Sequence, residues 1–146
     1  MESIVEAMPH VAAYKPALMA LAILCVTVYI QSFLTAPFAF VKAEQLPGMP
    51  LAGDHTQFSF RVIRTYMNSV ENLPAFGLSV LLAVMLQLDA GVVNWLAGIH
   101  VAFRMVFWAV YYSGVGKVAG GPRTISYVGG LLSSLVLAGY VIFALF

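Results

Sequence analysis

The chain alternates long apolar runs with short polar ones, and the runs have helical length. From Pro16 to Val41 there are 26 residues without a charge, a stretch of about 39 Å as a helix and so able to cross a bilayer with tilt. This predicts a first span over about residues 14–41, which Pro37 kinks or ends. Lys42 to Gln57 (KAEQLPGMPLAGDHTQ) is the only sizeable polar segment. Its Pro47, Gly48, Pro50, Gly53 and Asp54 are turn formers, so 42–57 is the main extramembrane loop. A second span is predicted over 58–86, with Arg61, Arg64 and Glu71 inside it. The short turn Gln87 to Gly91 makes it an antiparallel neighbour of a third span over 92–115. Gly114, Gly116, Gly120, Gly121 and Pro122 then break the chain. A fourth span over 122–146 starts at Pro122, a good first-turn residue, and is charge-free for the 23 residues from Thr124 to Phe146. The expected fold class is an all-α integral membrane protein, residues 1–146 forming a single four-helix bundle.

Composition sharpens this. Among 146 residues there are seven Lys and Arg against six Asp and Glu, charged residues are 9% and hydrophobic ones 62%. So few charges cannot cover a water-soluble domain, and so much apolar sequence excludes disorder. A net charge of +1 leaves no footprint for nucleic acid. The single cysteine, Cys25, rules out an internal disulfide framework and a cysteine zinc site. In the first span it reads as apolar filler. No metal site is expected, because His10 and His55 fall in exposed segments without ligand spacing. The first ten residues carry Glu2 and Glu6 and no Lys or Arg, the wrong sign for a secretory signal peptide. Lys42, Arg61, Arg64, Lys117 and Arg123 lie at one side of the spans and Lys15 alone at the other. The positive-inside rule then puts both loops in the cytoplasm and both termini on the non-cytoplasmic side.

Charges within spans are costly unless paired or wet, so their spacing carries information. Arg61, Arg64, Asn68 and Glu71 fall within about 80° of arc on the second span, one polar stripe. Arg104 and Tyr111 share a face of the third span, and Arg123 and Tyr127 a face of the fourth, with Thr124 beside them. Depths of about 15 Å for Glu71, 20 Å for Arg104 and 9 Å for Tyr111 aim these groups at one cytoplasm-facing cavity. Guanidiniums with one carboxylate suit a polyanion that also carries an amine, and Asn meets peptide groups. Glutathione fits that description: two carboxylates, one amine, two peptide bonds and a thiol.

Each residue also has a structural reading. Arg64, Asn68 and Glu71 could form an interhelical polar network. Arg104 is expected to pair with Glu71, the intramembrane carboxylate at similar depth. Arg61 reads equally as a cavity residue and as a side chain snorkelling to headgroups. Tyr111 and Tyr127 suit an interfacial belt, and Thr124 a helix cap. His100 reads as packing or a helix–helix hydrogen bond. Ser126, Gly130, Ser134 and Ala138 form a small-residue row, read as a close packing face.

At these residues the chain resembles a known family. FRVIRTYMNSVENLP (Phe60 to Pro74), with its Arg64, Asn68 and Glu71 core, is similar to the second-helix signature of the MAPEG proteins, the membrane-associated proteins in eicosanoid and glutathione metabolism. RMVFWAVYY (Arg104 to Tyr112) resembles the third-helix pattern and PRTISY (Pro122 to Tyr127) the start of the fourth, with Thr124 where prostaglandin E synthase has serine. The resemblance runs from about Pro16 to Leu137. It implies a homotrimer in membrane lipid, with glutathione between neighbouring subunits near the cytoplasmic side. It implies that Arg64, Asn68 and Glu71 bind glutathione with Tyr111 and Tyr127 alongside. Arg123 would then stabilise the thiolate, and Thr124 would donate a hydrogen bond to it. Arg61 and Arg104 are counted with the binding residues. Three features depart from the family. Only Lys42 stands near the place of a late first-span arginine. Phe107 replaces the histidine of prostaglandin E synthase, and the loop SGVGKVAGG is longer. The first two count against prostaglandin isomerase chemistry. The expected function is a membrane glutathione transferase, extending to peroxidase activity, that attacks lipophilic small molecules. The alternatives are a non-catalytic lipid-binding or scaffold protein of the same fold, and an unrelated channel or transporter subunit.

Overall fold

The computed structural model describes residues 9–116 and 119–146. Glu2, Glu6 and Lys117, used above for the leader and orientation readings, lie outside the described residues. A single turn, α1 (Pro9–Ala12), precedes α2 (Lys15–Ala36). Then come α3 (Phe58–Met85), α4 (Ala90–Ser113) and α5 (Pro122–Leu145). Pro37 does not end the first span. The helix widens there into one π turn, Pro37–Val41, and continues, so the span runs Lys15–Val41. The wider turn leaves room for a ring that would collide with the carbonyl one α turn back. The third span starts two residues before the expected 92, at Ala90, because Asp89 caps it by accepting from Val92 N at 2.8 Å. It stops at Ser113, since Gly114 takes the left-handed conformation, φ 71°, that closes a helix.

All four long helices have the length and apolarity to cross a membrane. Together they form a four-helix membrane bundle, in which α3 and α4 each touch the other three while α2 and α5 lie on opposite flanks. The most extensive contact is α4 with α5. It rests on small residues: α5 turns Ser126, Gly130 and Ser133 inward with Leu137 and Val141. Gly129 lies so close to the Phe103 ring that a Cβ there would come within 2.5 Å of it. The buried stripe follows the expected small-residue row through Gly130 and then shifts to Ser133 and Leu137, leaving Ser134 and Ala138 half-buried. Four-residue steps drift by about 40° each, whereas alternating steps of three and four follow a straight neighbour.

The apolar core occupies the end of the bundle that carries the termini. Ala17, Phe76, Val80, Val93, Ala97 and Leu137, none of them accessible, meet there. Asn94 ties α2 to α4 at this end: its Oδ1 accepts from Ala17 N at 3.1 Å and its Nδ2 donates to Ala13 O at 2.9 Å. The Tyr14 hydroxyl donates to Leu88 O. His100 does what its structural reading required. It is buried, its Nδ1–H donates to Gly130 O at 2.9 Å, and its ring stacks on Phe76 at 4.0 Å. Large apolar side chains such as Phe33, Trp95 and Phe143 point outward, as lipid-facing positions do.

Candidate functional site

The other end of the bundle is polar. A cavity of about 330 Å³ opens there between α3, α4, α5 and the loop before α3. α3 contributes Arg64, Asn68 and Glu71, on one face by their spacing of four and three. α4 contributes Phe107 and Tyr111, and the first turns of α5 contribute Arg123, Thr124 and Tyr127. Seven of the nine residues anticipated from the sequence therefore line one cavity. Arg64 Nη1 lies 3.3 Å from Glu71 Oε1, two turns along the same helix. Both side chains stay open toward the outside of the bundle, 38% and 50% exposed. Arg123 by contrast is buried, its guanidinium over the Tyr111 ring at 4.9 Å. Phe107 packs against Tyr111 at 5.1 Å and Tyr127 at 6.1 Å and forms an aromatic floor. Thr124 Oγ1 accepts from Gly120 N at 2.9 Å. It therefore ties down the preceding loop and does not cap α5, whose N-cap is Gly121 with no side-chain cap, and it still has a proton to donate.

Two buried polar atoms at this cavity have no hydrogen-bond partner among the described residues, Asn68 Oδ1 and Arg123 Nε. Unpaired buried polar atoms cost about 1–3 kcal/mol each. One is an acceptor and the other a cationic donor. A ligand that offers an N–H and an anionic oxygen or sulfur would satisfy both.

Arg61 and Arg104 stand apart from the cavity. The Arg61 Nη1 donates to the carbonyls of His55 at 2.9 Å and Thr56 at 2.8 Å, and its guanidinium packs over Phe58. It neither lines the cavity nor snorkels free; it staples the loop. Arg104 is buried and does not pair with Glu71, contrary to the expectation. Its Nη2 donates to Ser69 Oγ at 3.3 Å and its guanidinium lies over Phe107 at 4.9 Å. Helical geometry explains the difference, since Ser69 and Glu71 are about 200° apart on α3. A side chain facing one faces away from the other. Arg104 lines a separate internal void of about 20 Å³ with Gln31, His100 and Asn72, room for about one water.

Sequence reasoning missed His55. Set aside as a loop residue without metal spacing, it lines the cavity. Its Nδ1 lies 2.9 Å from the Tyr111 hydroxyl and 3.3 Å from Arg123 Nη1. Arginine can only donate, so Nδ1 is the acceptor and the proton sits on Nε2. Burial first, then Arg123, pushes the His55 pKa below the ordinary 6.5, and the ring is neutral near pH 7. Loop residues carry no periodicity, so the one signal in the sequence was position, three residues ahead of Phe58. Among the described residues no cluster of His, Cys, Asp and Glu could hold a metal ion.

No curated protein matches the chain. The MAPEG family profile matches residues 16–143, which take in nearly all of the four spans and every cavity residue, and by that match the chain belongs to the MAPEG family of membrane-associated proteins in eicosanoid and glutathione metabolism.

Proposed function

We propose that the chain is a membrane glutathione transferase that ionises the glutathione thiol for attack on lipophilic electrophiles, with peroxide reduction as an extension of the same chemistry. The observation that carries this reading is the convergence of Arg64 from α3 and Arg123 from α5 on one cavity, with Glu71 and the unpartnered Asn68 Oδ1 beside them. Its volume of about 330 Å³ lies within the usual range for small-molecule sites, about 300–1,000 Å³. In this reading Arg64 meets a carboxylate and Glu71 an ammonium, and Asn68 accepts from a peptide N–H. Arg123 stands over the sulfur. Thr124 donates to it, and Tyr111 and Tyr127 wall it in. Glutathione supplies the nucleophilic thiol. A free thiol ionises near pH 8.5, and an adjacent arginine brings that to about 7 or below. The buried position of Arg123 strengthens the effect, because little water screens it.

The open outer side of Arg64 and Glu71 supports assembly as a homotrimer. A lipid-facing carboxylate at that depth costs on the order of 3 kcal/mol, and a neighbouring subunit would cover it. The loop ends of the spans are assigned to the cytoplasm and the termini to the opposite side. Impermeant maleimide should label Thr56→Cys, in a Cys25→Ser background, only from the cytoplasmic face of vesicles.

The decisive measurement has two stages. The purified protein should be retained on immobilised glutathione, and it should turn over a chloronitrobenzene acceptor. Arg123→Ala should lower turnover at neutral pH at least tenfold, the equivalent of about 1.4 kcal/mol, while retention persists. Unchanged turnover in Arg123→Ala would sink the mechanism. A second reading, a non-catalytic lipid-binding protein of the same fold, is favoured by another cavity. It measures about 430 Å³, lies beside the 42–57 loop and is lined by Leu46, Met49, Ile63 and Met67. No retention on glutathione and no turnover of any electrophile is the outcome that favours this reading.

A further inference from the structure

The loop before α3 is built to present one ring. Asp54 Oδ1 accepts from Thr56 N at 2.8 Å and from Thr56 Oγ1 at 2.6 Å, which closes a tight turn around residue 55. Arg61 then grips the outer side of that turn through the carbonyls of His55 and Thr56. The His55 ring is held edge-to-face against Phe60 at 4.8 Å and lies 5.5 Å from the Tyr111 ring. So gripped, Nδ1 faces two groups of the cavity from two different helices, the hydroxyl of Tyr111 and the guanidinium of Arg123.

We propose that His55 is a positioning residue for Arg123: its neutral ring accepts from the guanidinium and the Tyr111 hydroxyl together, and Arg61 acts through it by anchoring the loop. The inference rests on the glutathione reading only for its effect on activity; the contact itself does not need it. Arg123 is a long side chain at the very start of α5. Its Nε has no partner among the described residues and it meets no carboxylate there. Besides the Tyr111 face beneath it, the only side-chain acceptor it has among the described residues is His55. Without that acceptor only the Tyr111 face holds it, and a less firmly held guanidinium stabilises a thiolate less.

The arrangement is pH-sensitive in a stated direction. The charged and titratable groups around His55 are Asp54 on its own loop, Arg61 and Arg64 on α3, Tyr111 on α4 and Arg123 on α5. Only Asp54 favours a charged ring; three guanidiniums and burial oppose it. A protonated Nδ1 cannot accept from Arg123. The contact is therefore intact above the unfolded histidine value of about 6.5, and it is lost as pH falls through the depressed folded value.

The test uses the full chain in mixed micelles, with His55→Ala, His55→Asn and Arg123→Gln. Bound glutathione thiolate is read by its ultraviolet absorbance against pH, with kcat and KM alongside. His55→Ala should move thiolate formation up by about one pH unit, a roughly tenfold loss of thiolate below it, while KM for glutathione changes little. His55→Asn keeps an acceptor near Nδ1 and has no proton to gain. It should recover most of the thiolate and abolish the acid-side fall that His55 causes. Separately, and without glutathione, nitrogen-15 histidine spectra should show His55 titrating at higher pH in Arg123→Gln than in the wild type. A wild-type thiolate profile in His55→Ala, or an unmoved His55 titration in Arg123→Gln, overturns the proposal. If the wild type holds no glutathione, the transferase reading falls and the histidine spectra alone decide the contact.

Discussion

Replacing Gly114 by alanine should disturb the candidate site from outside it. Gly114 closes α4 with φ 71°, a conformation that costs an L-residue about 1–2 kcal/mol. A Cβ there would lie 3.1 Å from Arg61 Cζ and 3.3 Å from Arg61 Nε and Nη2, so the guanidinium must give way by a few tenths of an ångström. It cannot move freely, because Nη1 is committed to the carbonyls of His55 and Thr56. The expected loss is therefore the backbone cost plus part of two charge-assisted hydrogen bonds, about 2–3 kcal/mol in all. Gly114→Asn separates the two contributions. Asparagine tolerates the left-handed region, so most of the backbone cost disappears while the Cβ still presses on Arg61. Denaturant titration in micelles should rank the proteins wild type, Asn, Ala. Hydrogen exchange at His55 and Thr56 should quicken in both variants. An alanine variant as stable as the wild type, with exchange at those two amides unaltered, would refute the linkage of Gly114 through Arg61 to the loop.

Other substitutions probe the remaining contacts. Arg64 and Glu71, at 3.3 Å but more than a third exposed, should couple by only about 0.2–1 kcal/mol in dispersed subunits. A double-mutant cycle should give a larger value once subunits assemble over them, and equal values in both states would contradict coverage by a neighbour. His100→Phe removes one of two side-chain donors to Gly130 O, the other being Ser133 Oγ at 2.8 Å. The carbonyl keeps a partner, so unfolding should show a loss near the low end of about 1–3 kcal/mol. Asn94→Ala strips the α2 start of two hydrogen bonds and should cost about 1–2 kcal/mol, read as faster exchange at Ala17 with α5 unaffected.

Much of this architecture was legible because a bilayer imposes a coarse, long-range rule. Twenty-odd apolar residues between polar breaks name a span, and the four spans of the structure fall within two residues of the expected limits at every end. The face shared by Arg64, Asn68 and Glu71 was legible for a related reason: three residues on one helix have fixed relative angles whatever surrounds them. Relations between helices were not fixed in this way. Depth alone pointed Arg104 at Glu71, but depth gives no azimuth, and α4 turns Arg104 toward Ser69 instead. Arg61 shares an arc with Arg64, yet its end position lets it reach backwards along the chain to loop carbonyls that no periodicity announces. His55 was illegible for the same cause, since a turn closed by Asp54 and Thr56 has no repeat to read. At Pro37 the sequence told of a helix kinked or ended but did not foresee the π turn by which it runs on to Val41.

The division of the bundle into a dry end and a wet end has a consequence for the membrane itself. Among the described residues the polar cavity opens at one end, and between it and the other end stand Phe76, Val80, Ala97 and Leu137, closed together without accessible surface. That plug acts as a seal. A polar cavity at one end of the bundle is thus compatible with a bundle that stays dry at the other.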